Sequence, residues 1–152
     1  MTKRDAKISS NQVLCCILLG CFLITPARSK DRLHLFEVSN GDPTQSFVVA
    51  LYDRRKVDMA LKIASGATMD AVHVNGKIVK SRVQYNPKWS FHLSPDSITF
   101  FTFAPTVCGR GMSTTDVQSN LDLVGKPGSP LAVVYWCPLG SRVAAELTDQ
   151  RQ

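Results

Sequence analysis

The 152-residue chain has little that stays apolar for long. Its one extended hydrophobic stretch, Val13–Ile24 (VLCCILLGCFLI), covers twelve residues. As a helix it rises only ~18 Å against a hydrocarbon core of ~30 Å, so it predicts no permanent membrane span. Short catalytic and ligand signatures are missing as well. There is no C-x-x-C, which argues against a redox couple or a tetrahedral zinc site. There is no G-x-S-x-G elbow, and neither a P-loop nor a G-x-G-x-x-G. Gly125–Ser129 (GKPGS) reads as a loop and not as a nucleotide cradle. An EF-hand calcium loop is absent too. No repeat, low-complexity tract or second linker divides the chain. A composition of 44% hydrophobic and 20% charged residues excludes collagen-like and wholly disordered chains.

What is present begins with an address. Met1–Gln12 is polar and carries Lys3, Arg4 and Lys7; Val13–Ile24 follows; Ala27 and Ser29 are small residues two apart. A basic region, a short apolar run and a small-x-small exit are the parts of a secretory signal peptide, with cleavage expected between Ser29 and Lys30. The expected layout is signal peptide 1–29, a single globular domain 30–147 and a flexible tail 148–152. Cleavage leaves 123 residues, 14 basic against 11 acidic, and two of the five cysteines. The full-length charge of +6 thus falls to +3, too little to argue for nucleic acid.

In the domain, Leu33–Val38 (LHLFEV) and Gln45–Tyr52 (QSFVVALY) read as an antiparallel strand pair around the turn-forming SNGDPT. Asp53 is an N-cap for a helix through Ser65, with Val57, Ala60, Leu61 and Ala64 on one face and Gly66 at the C′ position. Asn75-Gly76 within AVHVNGKIVK predicts a hairpin turn; one long strand bulged at Gly76 is the alternative. Ile98–Phe103 (ITFFTF) reads as a buried strand and Leu131–Trp136 as a central one. Ser113 caps a short helix with Val117, Leu121 and Val124 on one face. Ser141–Leu147 fits either a helical turn or a last strand. The expected fold class is α+β: an antiparallel sheet with two helices packed on it and one disulfide. In an oxidising compartment Cys108 and Cys137 form that bridge across a 28-residue stretch. The chain-entropy model gives it roughly 3–4 kcal/mol.

Chemistry concentrates in Tyr85–Phe101, where Asn86-Pro87 and Ser94-Pro95 bracket Trp89, Phe91 and His92. In one reading Tyr85 and Trp89 form an exposed aromatic platform, with Tyr85, Trp89 and His92 as ligand contacts. In the other, Trp89 and Phe91 plug the core and His92 bonds a backbone carbonyl. His92 with Asp96 and Ser90 or Ser94 has the residue types of a hydrolase, although such local clusters are common by chance. His34 and His73 lack metal-ligand spacing, and no metal or cofactor is expected. Arg54, Arg55 and Lys56 sit where the helix dipole disfavours cations, either as an anion patch or as a solvated face.

The block YNPKWSFHLSPDSITFF (Tyr85–Phe101), then Val107-Cys108, Trp136–Pro138 and Ser141-Arg142, resembles a family of small secreted or export-associated domains. They carry a Tyr-Asn-Pro-x-Trp-Ser-x-His-Leu block and a late Trp-Cys-Pro element. Some relatives are labelled calmodulin-binding protein. The resemblance spans about Leu33 to Leu147 and implies no catalytic residues. Calmodulin itself is not an expected partner. Its targets are basic amphipathic helices, and here only Asp53–Ser65 comes near that pattern, with an apolar face that the core requires. The reading is of a secreted, extracellular, non-enzymatic binding domain whose partner is an extracellular protein or glycan. A structural matrix component and a small hydrolase using His92 and Asp96 are the alternatives.

Overall fold

A computed structural model describes residues 32–70, 72–102, 111–138 and 140–147, all within the compact unit 31–152. The expected signal peptide, Cys108 and the tail from 148 lie outside the described residues. The elements are β1 (His34–Ser39), β2 (Phe47–Leu51), α1 (Arg54–Ala64), β3 (His73–Val79), β4 (His92–Leu93), β5 (Thr99–Phe101), α2 (Thr114–Ser119), β6 (Tyr135–Trp136) and β7 (Arg142–Leu147). Single 3-10 turns occupy Pro95–Ser97 and Leu121–Leu123. The class is α+β, as expected, but the antiparallel strands fall into two sheets where the sequence predicts one. One sheet has the order β2-β1-β7. In the other, β3 pairs with β4, β5 and β6.

The β1–β2 pair forms in the expected place, with Phe36 opposite Val49 and Val38 opposite Phe47. These four, with Leu51 of β2 and Val143 of β7, are at most 1% exposed and form the inner face of the first sheet. Ser141–Leu147 resolves into a strand from Arg142, because β1 has a second free edge to fill. The register slips between Glu37 and Val38, where Ala145 and Val143 are the successive partners. Such a bulge turns one strand end against its neighbour without breaking the pair.

Local chemistry accounts for both helices. The Asp53 carboxylate accepts from the amides of Arg55 (2.8 Å) and Lys56 (3.2 Å). At the other end the amides of Gly66 and Ala67 donate to the carbonyls of Ile63 and Lys62. This is a Schellman closure, and Gly66 at φ 74° supplies its left-handed residue. The buried face of α1 is Val57, Ala60 and Ile63, whereas Leu61 is 38% exposed; the helix is rotated from the expected stripe because it lies against β7 and β2. Ser113 and Asp116 form a reciprocal capping box on α2. The helix stops at Ser119, and Leu121 continues in a 3-10 turn.

Three carboxylates are held below the ordinary 3.8 by donors that only the folded chain supplies. These are the Thr44 hydroxyl and amide on Asp42, the Lys56 and then Arg55 amides on Asp53, and the Ser113 hydroxyl and amide on Asp116. A depressed folded value means stability present above the unfolded value and lost as pH falls through the folded one. Thermal midpoints measured from about pH 6 to pH 2 are therefore expected to fall below about pH 4, less steeply in Asp53→Asn. A midpoint unchanged down to about pH 2 would contradict the assignment.

Three strand expectations are corrected. Ile98–Phe103 is a strand only at Thr99–Phe101, where Thr99 is exposed and both Phe residues are half-buried, and Phe103 lies outside the described residues. Asn75-Gly76 is not a turn: His73–Val79 is one continuous strand, as in the alternative reading but without the expected bulge at Gly76. Gly76 serves close packing. A Cβ there would lie 2.8 Å from Ile98 Cδ1 and 3.1 Å from Leu93 Cβ. Leu131–Trp136 is a strand only at Tyr135–Trp136. Upstream, the Leu131 carbonyl accepts from Gly125 and the Ala132 amide donates to Ser129, so the loop has taken these groups.

Candidate binding surface

The Tyr85–Phe91 segment runs along β2, whose outer edge the first sheet leaves open. Asn86, 3% exposed, closes that edge with its side chain. Its Nδ2 donates to the Val48 carbonyl (2.6 Å), and its Oδ1 accepts from the Val48 amide (2.9 Å). The carboxamide thus imitates a neighbouring strand's peptide group, which is one way to blunt a free edge. The Trp89 indole N–H donates to the Ser46 carbonyl (3.0 Å). Lys88 Nζ reaches the Thr44 carbonyl (2.6 Å) while sitting 4.9 Å above the Trp89 ring. The Ser90 amide donates to Gln118 Oε1 of α2 (2.7 Å).

Trp89 is 4% exposed and Phe91 fully buried, so the platform reading of Trp89 is corrected and the core-plug reading holds. Phe91 stacks on Phe47 at 5.2 Å, and both meet Trp136 edge-on at 5.6 and 5.5 Å. This cluster joins the two sheets, because Phe47 belongs to β2 and Trp136 to β6. Tyr85 is half-buried, and burial, followed by the neighbouring Tyr52, pushes its phenol up to about 12. His92 Nδ1 bonds the Ser81 carbonyl (2.9 Å). Of these three residues Trp89 is enclosed, whereas Tyr85 and His92 keep part of their surface exposed.

Other polar candidates are engaged within the scaffold. His34 pairs with Glu146 (2.7 Å), and His73 Nδ1 bonds the Ser141 carbonyl (2.8 Å). Lys56 Nζ donates to the Asp96 carbonyl (2.7 Å). A small depression is lined by Asn40, Gln45, Ser113, Thr114, Pro138 and Ser141. Gln45 there bonds Thr115, Ser113 caps α2, and the Ser141 hydroxyl donates to Pro138. Among the described residues no group of three His, Cys, Asp or Glu is placed to hold a metal, and no helix is long and apolar enough to cross a membrane.

What sequence reasoning missed is the outer face of the second sheet. Residues directly opposite in antiparallel strands share a face. The pairs Val74–Phe100, Gly76–Trp136 and Ile78–Leu93 point to the core. The alternate pairs point outward: His73–Phe101, Asn75–Thr99, Lys77–Tyr135 and Val79–His92. Lys77 and Thr99 are exposed, and Tyr135 is 37% exposed. The rings of His73 and Phe101 lie 5.6 Å apart and close one end.

Between β4 and β5 the ladder is interrupted, and Ser97 repairs it. Its hydroxyl accepts from the Lys77 amide (2.8 Å) and donates to the Ser94 carbonyl (2.7 Å). At the centre of the outer face stands Asn75, 8% exposed, whose Oδ1 is buried with no hydrogen-bond partner among the described residues. An unmet buried acceptor costs about 1–3 kcal/mol, so its retention calls for a reason. The only trace in the sequence is an Asn on the polar side of an alternating strand, and the turn propensity of Asn-Gly disguises it.

Comparison with known proteins gives one family match: residues 32–150 fit the model described as the BP-74 N-terminal domain. No curated protein and no solved structure matches the chain.

Proposed function

The chain belongs to the BP-74 N-terminal domain family, and from that premise we propose that it is an exported, non-enzymatic binding domain acting outside the cell. The observation that carries this reading is the outer face of the second sheet. It sets the exposed Tyr135 ring, Lys77 and Thr99 around a buried amide whose oxygen has no partner among the described residues. Sites for small ligands combine apolar or aromatic walls with a few fixed polar groups in this way. The block Tyr85–Phe91, by contrast, is spent on holding β2. Against the hydrolase alternative stands the geometry of His92: it bonds Ser81, and no hydrogen bond joins it to Asp96, Ser90 or Ser94 among the described residues. A single bridge, Cys108–Cys137, is part of the proposal. It is supported by the two-cysteine count after processing and by the burial of Cys137 at 3% exposure.

The test is expression of the full chain in a secreting cell. Protein recovered from the medium is expected to begin at Lys30 and to gain two hydrogen masses on reduction. Cell-retained protein beginning at Met1 refutes export, and an unchanged mass refutes the bridge.

A further inference from the structure

We propose that the outer face of the four-stranded sheet binds a neutral saccharide, with the Asn75 carboxamide as the central hydrogen-bonding group and Tyr135 as the stacking ring. The inference rests on the reading of the chain as a binding domain and narrows it to one class of ligand. Three features of the face select that class. First, Asn75 Oδ1 is an acceptor without a donor among the described residues, so the ligand must bring an O–H or N–H group. Second, none of the eight strand residues on this face is a carboxylate, and Lys77 stands beside Asn75. An ammonium donor would meet like charge with no counter-charge. Third, a simple anion offers acceptors and leaves Oδ1 unmet.

A pyranose supplies what remains. Its hydroxyls donate to Asn75 and accept from Thr99 and Lys77, while its C–H face covers an aromatic ring. Tyr135, opposite Lys77 and diagonal to Asn75, is within the reach of such a pair. In the free protein Oδ1 is screened from water. The proposed contact requires the carboxamide to turn about its terminal torsion, which is broad in asparagine, and to bring Oδ1 to the surface. A sugar lacking the donor hydroxyl is rejected, because it would leave the acceptor unmet in a dry contact.

The experiment uses the secreted protein, titrated separately with neutral trisaccharides of glucose, mannose and N-acetylglucosamine and with a sulfated disaccharide, and followed by amide NMR. At least one neutral sugar is expected to shift the side-chain amide of Asn75 and the backbone amides of Thr99 and Tyr135. Asn75→Leu is expected to weaken that binding about tenfold or more without lowering the Tm, since the replaced oxygen made no bond. Tyr135→Ala, at an exposed position, is the second variant, with a similar loss of affinity and an unchanged Tm. The proposal falls if no neutral sugar shifts these amides, or if Asn75→Leu folds but lowers the Tm. It also falls if both variants bind as the parent does. Binding of the sulfated sugar at another surface would overturn this inference and leave the broader binding reading standing.

Discussion

Asn86→Leu is expected to lower the unfolding free energy by about 2–4 kcal/mol, far more than a loop position usually costs. The side chain does no apolar packing that leucine could not replace. What it supplies is a donor and an acceptor to the same residue, Val48, on the outer edge of β2. Removing it strands both an amide and a carbonyl beneath the Tyr85–Phe91 segment, and each unmet group costs about 1–3 kcal/mol. Urea unfolding measures the loss, and amide hydrogen exchange locates it: exchange at Val48 is expected to speed up more than at Val49. Asn86→Asp separates hydrogen bonding from shape. It keeps the acceptor for the Val48 amide but turns an oxygen towards the Val48 carbonyl, so it is expected to destabilise despite near-identical size. A loss below about 0.5 kcal/mol in both variants would show that the edge is satisfied in another way.

Trp89→Ala is expected to cost about 3–5 kcal/mol, the range for deleting a large buried aromatic. Domains of this size have about 5–15 kcal/mol in total, so the variant will be close to unfolding at moderate temperature. The ring is 4% exposed, leans on Phe91 at 6.3 Å and ties its N–H to Ser46. Trp89→Phe keeps most of the apolar volume and loses the indole hydrogen bond, so a smaller loss of about 1–2 kcal/mol is expected. Thermal unfolding of the two variants beside the parent checks the order. If Trp89→Ala instead left the Tm unchanged and abolished ligand binding, Trp89 would be a contact residue and the plug assignment would be wrong. The two predictions share a cause: Asn86 and Trp89 are two clips of one segment fastened to one strand edge. Their effects are expected to be less than additive, because losing either frees the segment that holds the other.

Helix α1 is legible in the sequence at both ends, since Asp53 and Gly66 act through hydrogen bonds within a few residues of themselves. The Ser113 cap is legible for the same reason. The β1–β2 pair follows from two alternating runs joined by a short turn-rich loop. Leu61 is the first place where this logic runs out. Its spacing allows it on the buried face, but the position of α1 against β7 and β2 selects Ile63.

Gly76 shows the limit more sharply. By local propensity Asn-Gly is a turn, yet the strand continues because β5, β6 and β4, all distant in sequence, pair with it along its length, and the close approach of Leu93 and Ile98 favours glycine at that point. The outer face of the second sheet lies further still from sequence reasoning. Its members come from segments 73–79, 92–93, 99–101 and 135–136, and only the register decides which of their residues point outward together. A one-residue slip would exchange Asn75 for Gly76 and bury the polar set. The sequence by itself determined the short-range features: both caps, the closing glycine of α1, the first strand pair and the α+β class, each carried by contacts a few residues long. The tertiary structure alone decided that Asn86 stands in for a strand, that Trp89 faces inward and that Asn75 sits buried on the outer face of the second sheet, its Oδ1 without a partner among the described residues. Those outcomes depend on which distant backbone groups and side chains come to lie beside them.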